Sequence, residues 1–331
     1  MMKAFIVDRY GSSDNVRAAE MPDPEVREND ILVQVHAAGV NLLDSKIRNG
    51  EFKQILPYRL PVILGNDVAG VVVRVGSRVR RFKPGDEVYA RPDKDRIGAF
   101  AEFISIREDD LALKPEQLAM EEAASIPLVG LTAWQALIEI GNLRKGQKVL
   151  IHAGSGGVGT FAIQLAKHVG ATVATTTSAA NADLVKRLGA DVVIDYRKDD
   201  FEKLLDGYDV VLNSLDSKTL RKSLRVLRPG GKLISISGPP DPAFAREIGS
   251  RILEPVMRVL SYRIRRAAKR RHVSYSFLFM RANGEQLREI TDLINSGSYT
   301  QSLTGSSRSS QPKRLWLTLR KGTQKARSSS R

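Results

Sequence analysis

The stretch VLIHAGSGGVGTFAIQLAKHVGATVATTTS, residues 149–178, decides how the rest of the chain is read. An apolar run enters a glycine-rich turn, a pattern with apolar residues three and four apart leaves it, and a second β-rich run follows. Gly154, Gly156 and Gly159 form G-x-G-x-x-G directly after a strand signal and at the opening of a helix signal. In that setting the first glycine permits the tight turn. The second lets backbone approach a pyrophosphate, and the third lets helix pack on strand. The turn Gly154, Ser155, Gly156, Gly157, Val158 and Gly159 would then hold the anion on backbone N–H groups at the positive end of a helix. The chain has no G-x-x-x-x-G-K-[ST], which argues against a P-loop nucleotide hydrolase.

An NAD site usually places Asp or Glu about 20 residues further on, at the end of the second strand, to bind the ribose hydroxyls. Here that position reads Thr175, Thr176, Thr177 and Ser178, and the first acid, Asp183, already lies in the next helical pattern. A 2′-phosphate would meet no repulsion and could take hydrogen bonds from the hydroxyls, with Lys186, Arg197 and Lys198 available to add charge. The expected coenzyme is therefore NADP(H). The plainer alternative is that the hydroxyls only decorate a strand end.

Outward from the turn, strand and helix signals alternate: KVLIHA, TFAIQLAKHVG, TVATTT, ADLVKRLG, DVVIDY, FEKLLDG, DVVLNS, LRKSLRVLRPG and KLISIS. That spacing predicts βαβ units and an α/β fold with a doubly wound parallel sheet. Gly189, Gly207 and Gly230 are expected to end helices in the left-handed region. The first 125 residues differ, with short β-rich runs (AFIVDRY, DILVQVHAAGV, DVAGVVVRVG, AEFISI) broken by Gly, Pro and Asp.

A chain of 331 residues is long enough for two cores, and 42% hydrophobic with 27% charged residues is ordinary for a globular protein. Charge interrupts the opening MMKAFIVDRY at once, so no signal peptide is expected. The longest uncharged run, residues 149–166, is glycine-rich and a poor membrane span. There is no cysteine, which excludes disulfides and thiolate chemistry and removes the usual ligands of structural zinc. A cytoplasmic address is the expectation. The net charge is +15, and residues 298–331 carry eight of the 52 Lys and Arg and none of the 37 Asp and Glu, so the tail supplies +8 and the remainder +7. A second basic run is RVLSYRIRRAAKRRH, residues 258–272. Such runs fit a solvated helix face first, and anionic membrane lipid or nucleic acid after it. Aromatic residues do not interleave with the charges, so no specific nucleic acid is expected.

GVNLLDSKIRNG, LPVILGNDVAGVVVRVGSRVRRFKPGDEVYA, GAFAEF and IPLVGLTAWQAL, in that order, resemble the medium-chain dehydrogenase/reductase superfamily. Within it the similarity is to zinc-independent NADPH:quinone oxidoreductases and the related enone (alkenal) reductases, over residues 2–297. The resemblance implies a GroES-like β-rich substrate domain at 1–125, a Rossmann NADP-binding domain at 126–271 and a return to the first domain at 272–297. It also implies a cleft holding nicotinamide and substrate, and a homodimer. Zinc alcohol dehydrogenases of the superfamily carry Cys after the Gly-Val pair and His-Glu after the next glycine. This chain has Asn41 and Asn66-Asp67 there, so no zinc is expected.

Without a metal, the implied chemistry is hydride transfer from nicotinamide to a quinone or an α,β-unsaturated carbonyl. Enoyl-thioester reduction, a non-catalytic NADPH- or RNA-binding role of the crystallin kind, and a membrane-associated form stand as alternatives. His36, His152, His168 and His272 are scattered and read as structural. By position in the family, Asn41, Asp44 and Lys46 are the catalytic-loop candidates. Lys46 and Phe52 stand where relatives have Tyr, and Lys46 is either a cation near a developing oxyanion or a surface lysine. Asp67 reads as a brace for that loop. Thr132, Ser178, Asn181, Tyr196, Asn213, Leu215, Ser237 and Gly238 are coenzyme candidates. Phe277 and Phe279 are candidates for a wall of the pocket, or plain core.

The tail SYTQSLTGSSRSSQPKRLWLTLRKGTQKARSSSR has no periodicity and lacks the strand-like ending of the family. Residues from about Ser298 can be read as encoded in a displaced frame. With suitable codons, KRLWLTLRKGTQKARSSSR becomes EASVAYVEKGHAKGKVVVK, which resembles the missing ending. The alternative is a disordered basic tail.

Overall fold

The computed structural model describes residues 1–12, 15–54, 56–297 and 299, so the readings on the tail from Ser298 fall outside the described residues apart from Tyr299. The chain divides into two compact units, Met1–Leu128 with Arg281–Asn295, and Val129–Met280.

The first unit runs β1 (Met2–Val7), β2 (Val16–Met21), β3 (Asp30–Gly39), α1 (Leu42–Asn49), β4 (Val62–Ile63), β5 (Asp67–Val75), β6 (Glu87–Ala90), β7 (Phe103–Arg107), β8 (Leu111–Leu113) and α2 (Met120–Ala123). Two antiparallel sheets result, β2-β1-β4 and β7-β3-β5-β6-β8. Alternation along β3 and β5 turns Ile31, Val33, Val68 and Val72 inward, where they meet Val88, Ile104 and Ile106. The β-rich runs of the N-terminal pattern are thus strands, in the GroES-like part that the resemblance implies.

After α3 (Pro127–Trp134), which continues into a π-helical turn at Gln135–Ile140, the second unit alternates as the sequence requires. It runs β9 (Lys148–Ile151), α4 (Gly157–His168), β10 (Thr172–Thr177), α5 (Ala182–Arg187), β11 (Val192–Asp195), α6 (Phe201–Leu204), β12 (Tyr208–Asn213), α7 (Ser217–Val226), β13 (Leu227–Ser235), α8 (Pro242–Glu247), α9 (Glu254–Leu260), α10 (Tyr262–Arg270) and β14 (Ser274–Phe277). The six strands are all parallel in the order β11-β10-β9-β12-β13-β14. The central strands are buried on both faces, so β9 and β12 read as continuous apolar runs, Val149 to Ile151 and Val210 to Leu212. The chain moves outward from β9 to β11 and then returns to β12 on the other side of β9. That reversal opens a crevice at the carboxyl ends of β9 and β12, the place where ligands bind in open α/β sheets.

Two boundaries differ from the sequence reading. Residues 274–277 do not return to the first unit: they are the sixth strand of the parallel sheet, and the return begins at Arg281. The returning segment is α11 (Gly284–Asn295), whose Leu287, Ile290 and Ile294 are buried, and Tyr89 Oη donates to Leu287 O at 2.8 Å. Gly189 and Gly207 do follow helices with positive φ, but Gly230 sits inside β13 at φ +85°, four residues after α7 has ended. Pro229 supplies no N–H to a ladder, the pairing with β12 shifts register between Leu227 and Lys232, and Gly230 N donates to His272 O at 2.7 Å.

Candidate coenzyme site and the loop after the third strand

The turn between β9 and α4 closes on itself. Gly154 N donates to Thr176 O at 3.0 Å and Gly156 N to Ala153 O at 2.9 Å, while Ala153 takes a left-handed φ of +54°. The glycines are glycines for different reasons. A Cβ on Gly154 would lie 2.0 Å from Thr175 Oγ1, and one on Gly159 would lie 2.4 Å from Ala153 O, so strand, turn and helix fit only without them. A Cβ on Gly156 would meet nothing closer than Ala153 O at 3.3 Å, and its φ of −81° is open to any residue. The turn therefore constrains Gly156 far less than Gly154 or Gly159, asking a Cβ only for a few tenths of an ångström of give at Ala153 O, and Gly156 leaves an exposed bare backbone. No side chain caps α4, so the N–H groups of Gly157, Val158 and Gly159 have no partner inside the helix and point at the same space.

Beside the turn, the end of β10 builds a rim without a carboxylate. Thr177 Oγ1 donates to Ser155 Oγ at 3.0 Å, and Asn181 Nδ2 reaches Ser155 Oγ at 3.1 Å and Ser178 Oγ at 3.4 Å. Tyr196 is exposed just past β11, with the Arg197 guanidinium 5.8 Å from its ring centre. Asp195 ends β11 opposite Thr177, and its carboxylate accepts from Arg197 N at 3.1 Å. That acid escapes a linear reading because it arrives from the neighbouring strand.

His152 is structural, as its place before the turn suggests. It is buried and its pKa is pushed down to about 3 by desolvation, so it is neutral. Ser223 Oγ already donates to Thr219 O, so Nε2–H of His152 donates to Ser223 at 2.9 Å and Nδ1 accepts from Thr176 Oγ1 at 3.1 Å. Thr176 Oγ1 also accepts from Ala153 N at 3.2 Å, which ties the left-handed residue to the sheet. Thr176→Val keeps the shape but strips partners from both buried groups. It is expected to cost about 1–2 kcal/mol in urea unfolding. An unchanged midpoint would show that this hydroxyl does not hold the turn.

At the end of β12, Asn213 is fully buried. Its Oδ1 accepts from Leu215 N at 2.8 Å, while its Nδ2 has no partner among the described residues. Ser237 Oγ donates to Leu215 O at 2.5 Å, and Gly238 N donates to Ser235 Oγ at 2.9 Å, so the 213–215 and 235–238 turns are laced together. Phe277 and Phe279 pack edge-on and tilted against Phe244 at 5.2 and 5.5 Å, as members of an aromatic cluster. Thr132 is buried on α3.

In the first unit, Asn41 caps α1 and is the hub of a buried ring. Its backbone N–H donates to Asp44 Oδ2 at 2.7 Å, and its Nδ2 donates to Asp67 Oδ2 at 2.8 Å. Asn66 Nδ2 donates to Asp44 Oδ1 at 2.7 Å, and Leu128 N donates to Asp67 Oδ1 at 2.8 Å. Burial pushes the Asp44 carboxyl up to about 6 and that of Asp67 up to about 8, although the hydrogen bonds from Asn41, Asn66 and Leu128 pull the other way. Asp44 has no exposed surface and faces into this ring, so it braces the loop with Asp67; of the three loop candidates, Asn41 and Lys46 keep accessible surface. Lys46 is exposed on α1, its Nζ 6.0 Å from the centre of the Phe52 ring. The positions where zinc-bearing relatives carry Cys and His-Glu are thus joined here by amide-to-carboxylate bonds. Among the described residues, no group of three or more His, Cys, Asp or Glu is placed to hold a metal ion.

Comparison with known proteins agrees with this architecture. Residues 27–116 match the alcohol dehydrogenase GroES-like domain model, and residues 188–303 match the zinc-binding dehydrogenase model. An NADPH-dependent alkenal/one oxidoreductase of Arabidopsis thaliana chloroplasts is 40% identical over 250 residues, covering 73% of this chain; the chain spans 64% of that relative's length. A mitochondrial NAD(P)H oxidoreductase of Danio rerio, RTN4IP1, is 33% identical over 325 residues, 90% of this chain and 82% of the relative. The structure of the quinone oxidoreductase of Coxiella burnetii superposes with a TM-score of 0.84 at 32% identity, covering 97% of this chain and 96% of that one.

Proposed function

The chain belongs to the medium-chain dehydrogenase/reductase superfamily, and on that premise we propose that it is an NADPH-dependent, zinc-independent reductase of quinones or other α,β-unsaturated carbonyls. The observation that supports this most is the rim formed by Ser155, Thr177, Ser178 and Asn181 beside a glycine turn that leaves Gly156 bare. Hydroxyls and an amide there suit a 2′-phosphate, and Arg197 stands next to Tyr196 to balance its charge. The pyrophosphate fits the N–H groups of residues 157–159 at the start of α4. Asn213 Nδ2, buried with no partner among the described residues, suits an acceptor on the coenzyme at the carboxyl end of β12.

When bound, the reduced nicotinamide supplies a hydride to the electron-poor carbon, while the conjugated oxygen takes up the electron pair and then a proton. For that oxygen Lys46 is the cation this reading nominates, and Asn41, held by Asp44 and Asp67, fixes the loop that carries it. Metal-free chemistry is favoured because Asn41 is already committed to Asp67, and Asn66 to Asp44. The homodimer is carried over as part of the same proposal, with light scattering as its check.

The test follows NADPH absorbance against a quinone, a short enal and a long enoyl thioester, with NADH in parallel and with a zinc chelator added. Turnover of the quinone or enal with NADPH, at least about tenfold better than with NADH and indifferent to the chelator, is expected. Preference for the thioester would move the assignment to the enoyl reductases. Tight NADPH binding without turnover of any of them would make the chain a coenzyme-binding protein instead.

A further inference from the structure

The helical stretch from 251 to 270 in the second unit carries two apolar faces where one would suffice. Met257, Ser261, Ile264 and Ala268 are buried against the unit, and Ile264 and Ala268 belong to its core with Tyr275. Ile252, Val256, Val259 and Leu260 follow the same helical spacing on another side and are exposed, Ile252 at 88% and Val259 at 75% of full accessibility. Hydrogen bonds run through the junction of α9 and α10, with Ser261 N to Met257 O and Arg265 N to Ser261 O both at 3.0 Å. The spacing therefore continues, and it brings Arg263 and Arg270 onto the side that Ile252 and Val256 begin. Arg251, Arg258, Arg265, Arg266, Lys269 and Arg271 are exposed around them.

The charge here is one-sided. Between residues 250 and 283 the only acid is Glu254, and it pairs with Arg246. Arg266 meets the Tyr262 hydroxyl and ring, so it too is left without a carboxylate in that pairing. Exposed aliphatic side chains flanked by guanidinium groups that pair with no carboxylate among the described residues suit a surface that is apolar within and anionic at its rim.

We infer that residues 251–271 dock the protein on an anionic lipid surface, with Ile252, Val256, Val259 and Leu260 entering the headgroup layer and the arginines meeting lipid phosphates. Charge decides among the occupants. A second copy on a two-fold axis would bring the same cationic rows face to face, which repel. Nucleic acid would use the arginines but leave four aliphatic residues in water, and Tyr262 is the one aromatic side chain among them to stack a base.

The experiment is sedimentation of the full chain with vesicles of phosphatidylcholine alone and of phosphatidylcholine with phosphatidylserine. Two variants accompany the parent: Val256→Ser with Val259→Ser and Leu260→Ser, and Arg263→Gln with Arg266→Gln and Arg270→Gln. All replaced positions are exposed, and the eight Lys and Arg of residues 298–331 are present in every protein, so differences report the helix patch. The parent is expected to bind the anionic vesicles at least about tenfold better than the neutral ones, and less well as salt rises. Each variant should lose at least about tenfold on anionic vesicles, with melting temperature and NADPH affinity unchanged. Parent and variants sedimenting alike would overturn the inference. So would a fall in molecular mass in the serine variant, which would mean that a second copy covers the patch. A parent that binds neither vesicle but binds short RNA, with that binding lost only in the glutamine variant, would overturn the inference and assign the patch to nucleic acid.

Discussion

Gly156→Ala is expected to abolish high-affinity coenzyme binding while leaving the fold intact, with the dissociation constant for NADPH rising roughly 100-fold, about 3 kcal/mol. The argument is one of space. The added methyl group finds only Ala153 O at 3.3 Å within the protein, and the backbone at φ −81° accepts alanine without strain. The methyl would instead project into the region faced by the open N–H groups of α4, where a phosphate oxygen must come within hydrogen-bond distance. Gly159→Ala is the contrasting case. Its Cβ would stand 2.4 Å from Ala153 O and 2.7 Å from Gly154 Cα, so it should lower the melting temperature whether or not coenzyme is added. Titration calorimetry and thermal unfolding on the two variants separate the roles. Unaltered NADPH affinity in Gly156→Ala, with a normal melting temperature, would remove the turn from the coenzyme site.

What the sequence disclosed about this region was whatever depends on neighbours along the chain. The βαβ alternation, the glycine spacing and the run of hydroxyls at 175–178 are local patterns, and the parallel sheet follows from them. Contributions from a different strand were illegible. Asp195 stands opposite Thr177 only because β11 pairs with β10, and Ser223 reaches His152 only because α7 packs on the sheet. Ser274 to Phe277 carry too few residues for a strand signal of their own, and become a strand by pairing with β13. The exposed side of α9 was hidden for a further reason. Val and Leu at helical spacing look the same whether they face a core or water, and only the packed structure separates Met257 from Val259. Asp44 was placed by motif on the loop beside the nicotinamide. Helical spacing in α1 sets its side chain on the buried face with Ile47 and Arg48, and leaves Lys46 on the exposed one.

The ring around Asp67 has a thermodynamic signature of its own. A carboxyl whose pKa is raised by burial holds its proton in the folded state at pH values where the unfolded chain has released it. Between the unfolded value near 4 and the folded value of about 8, the folded state therefore binds more protons, and stability falls as pH rises. Asp44, raised to about 6, adds to the fall at the acid end of that window and little above it. From pH 6 to pH 9 Asp67 alone should remove about 3 kcal/mol. Asp67→Asn keeps a carbonyl oxygen for Leu128 N, and Asn41 can turn its amide to offer an acceptor to the new NH2 group. Without this titration the variant should gain on the parent by about 3 kcal/mol between pH 6 and pH 9, with the two closest near pH 4, measured by urea unfolding across the range. Parallel decline of the two proteins would mean that Asp67 ionises normally and that the ring is held by charge. In that case the vacated zinc positions would carry a buried anion, and added divalent cations should stabilise the parent but leave Asp67→Asn unmoved.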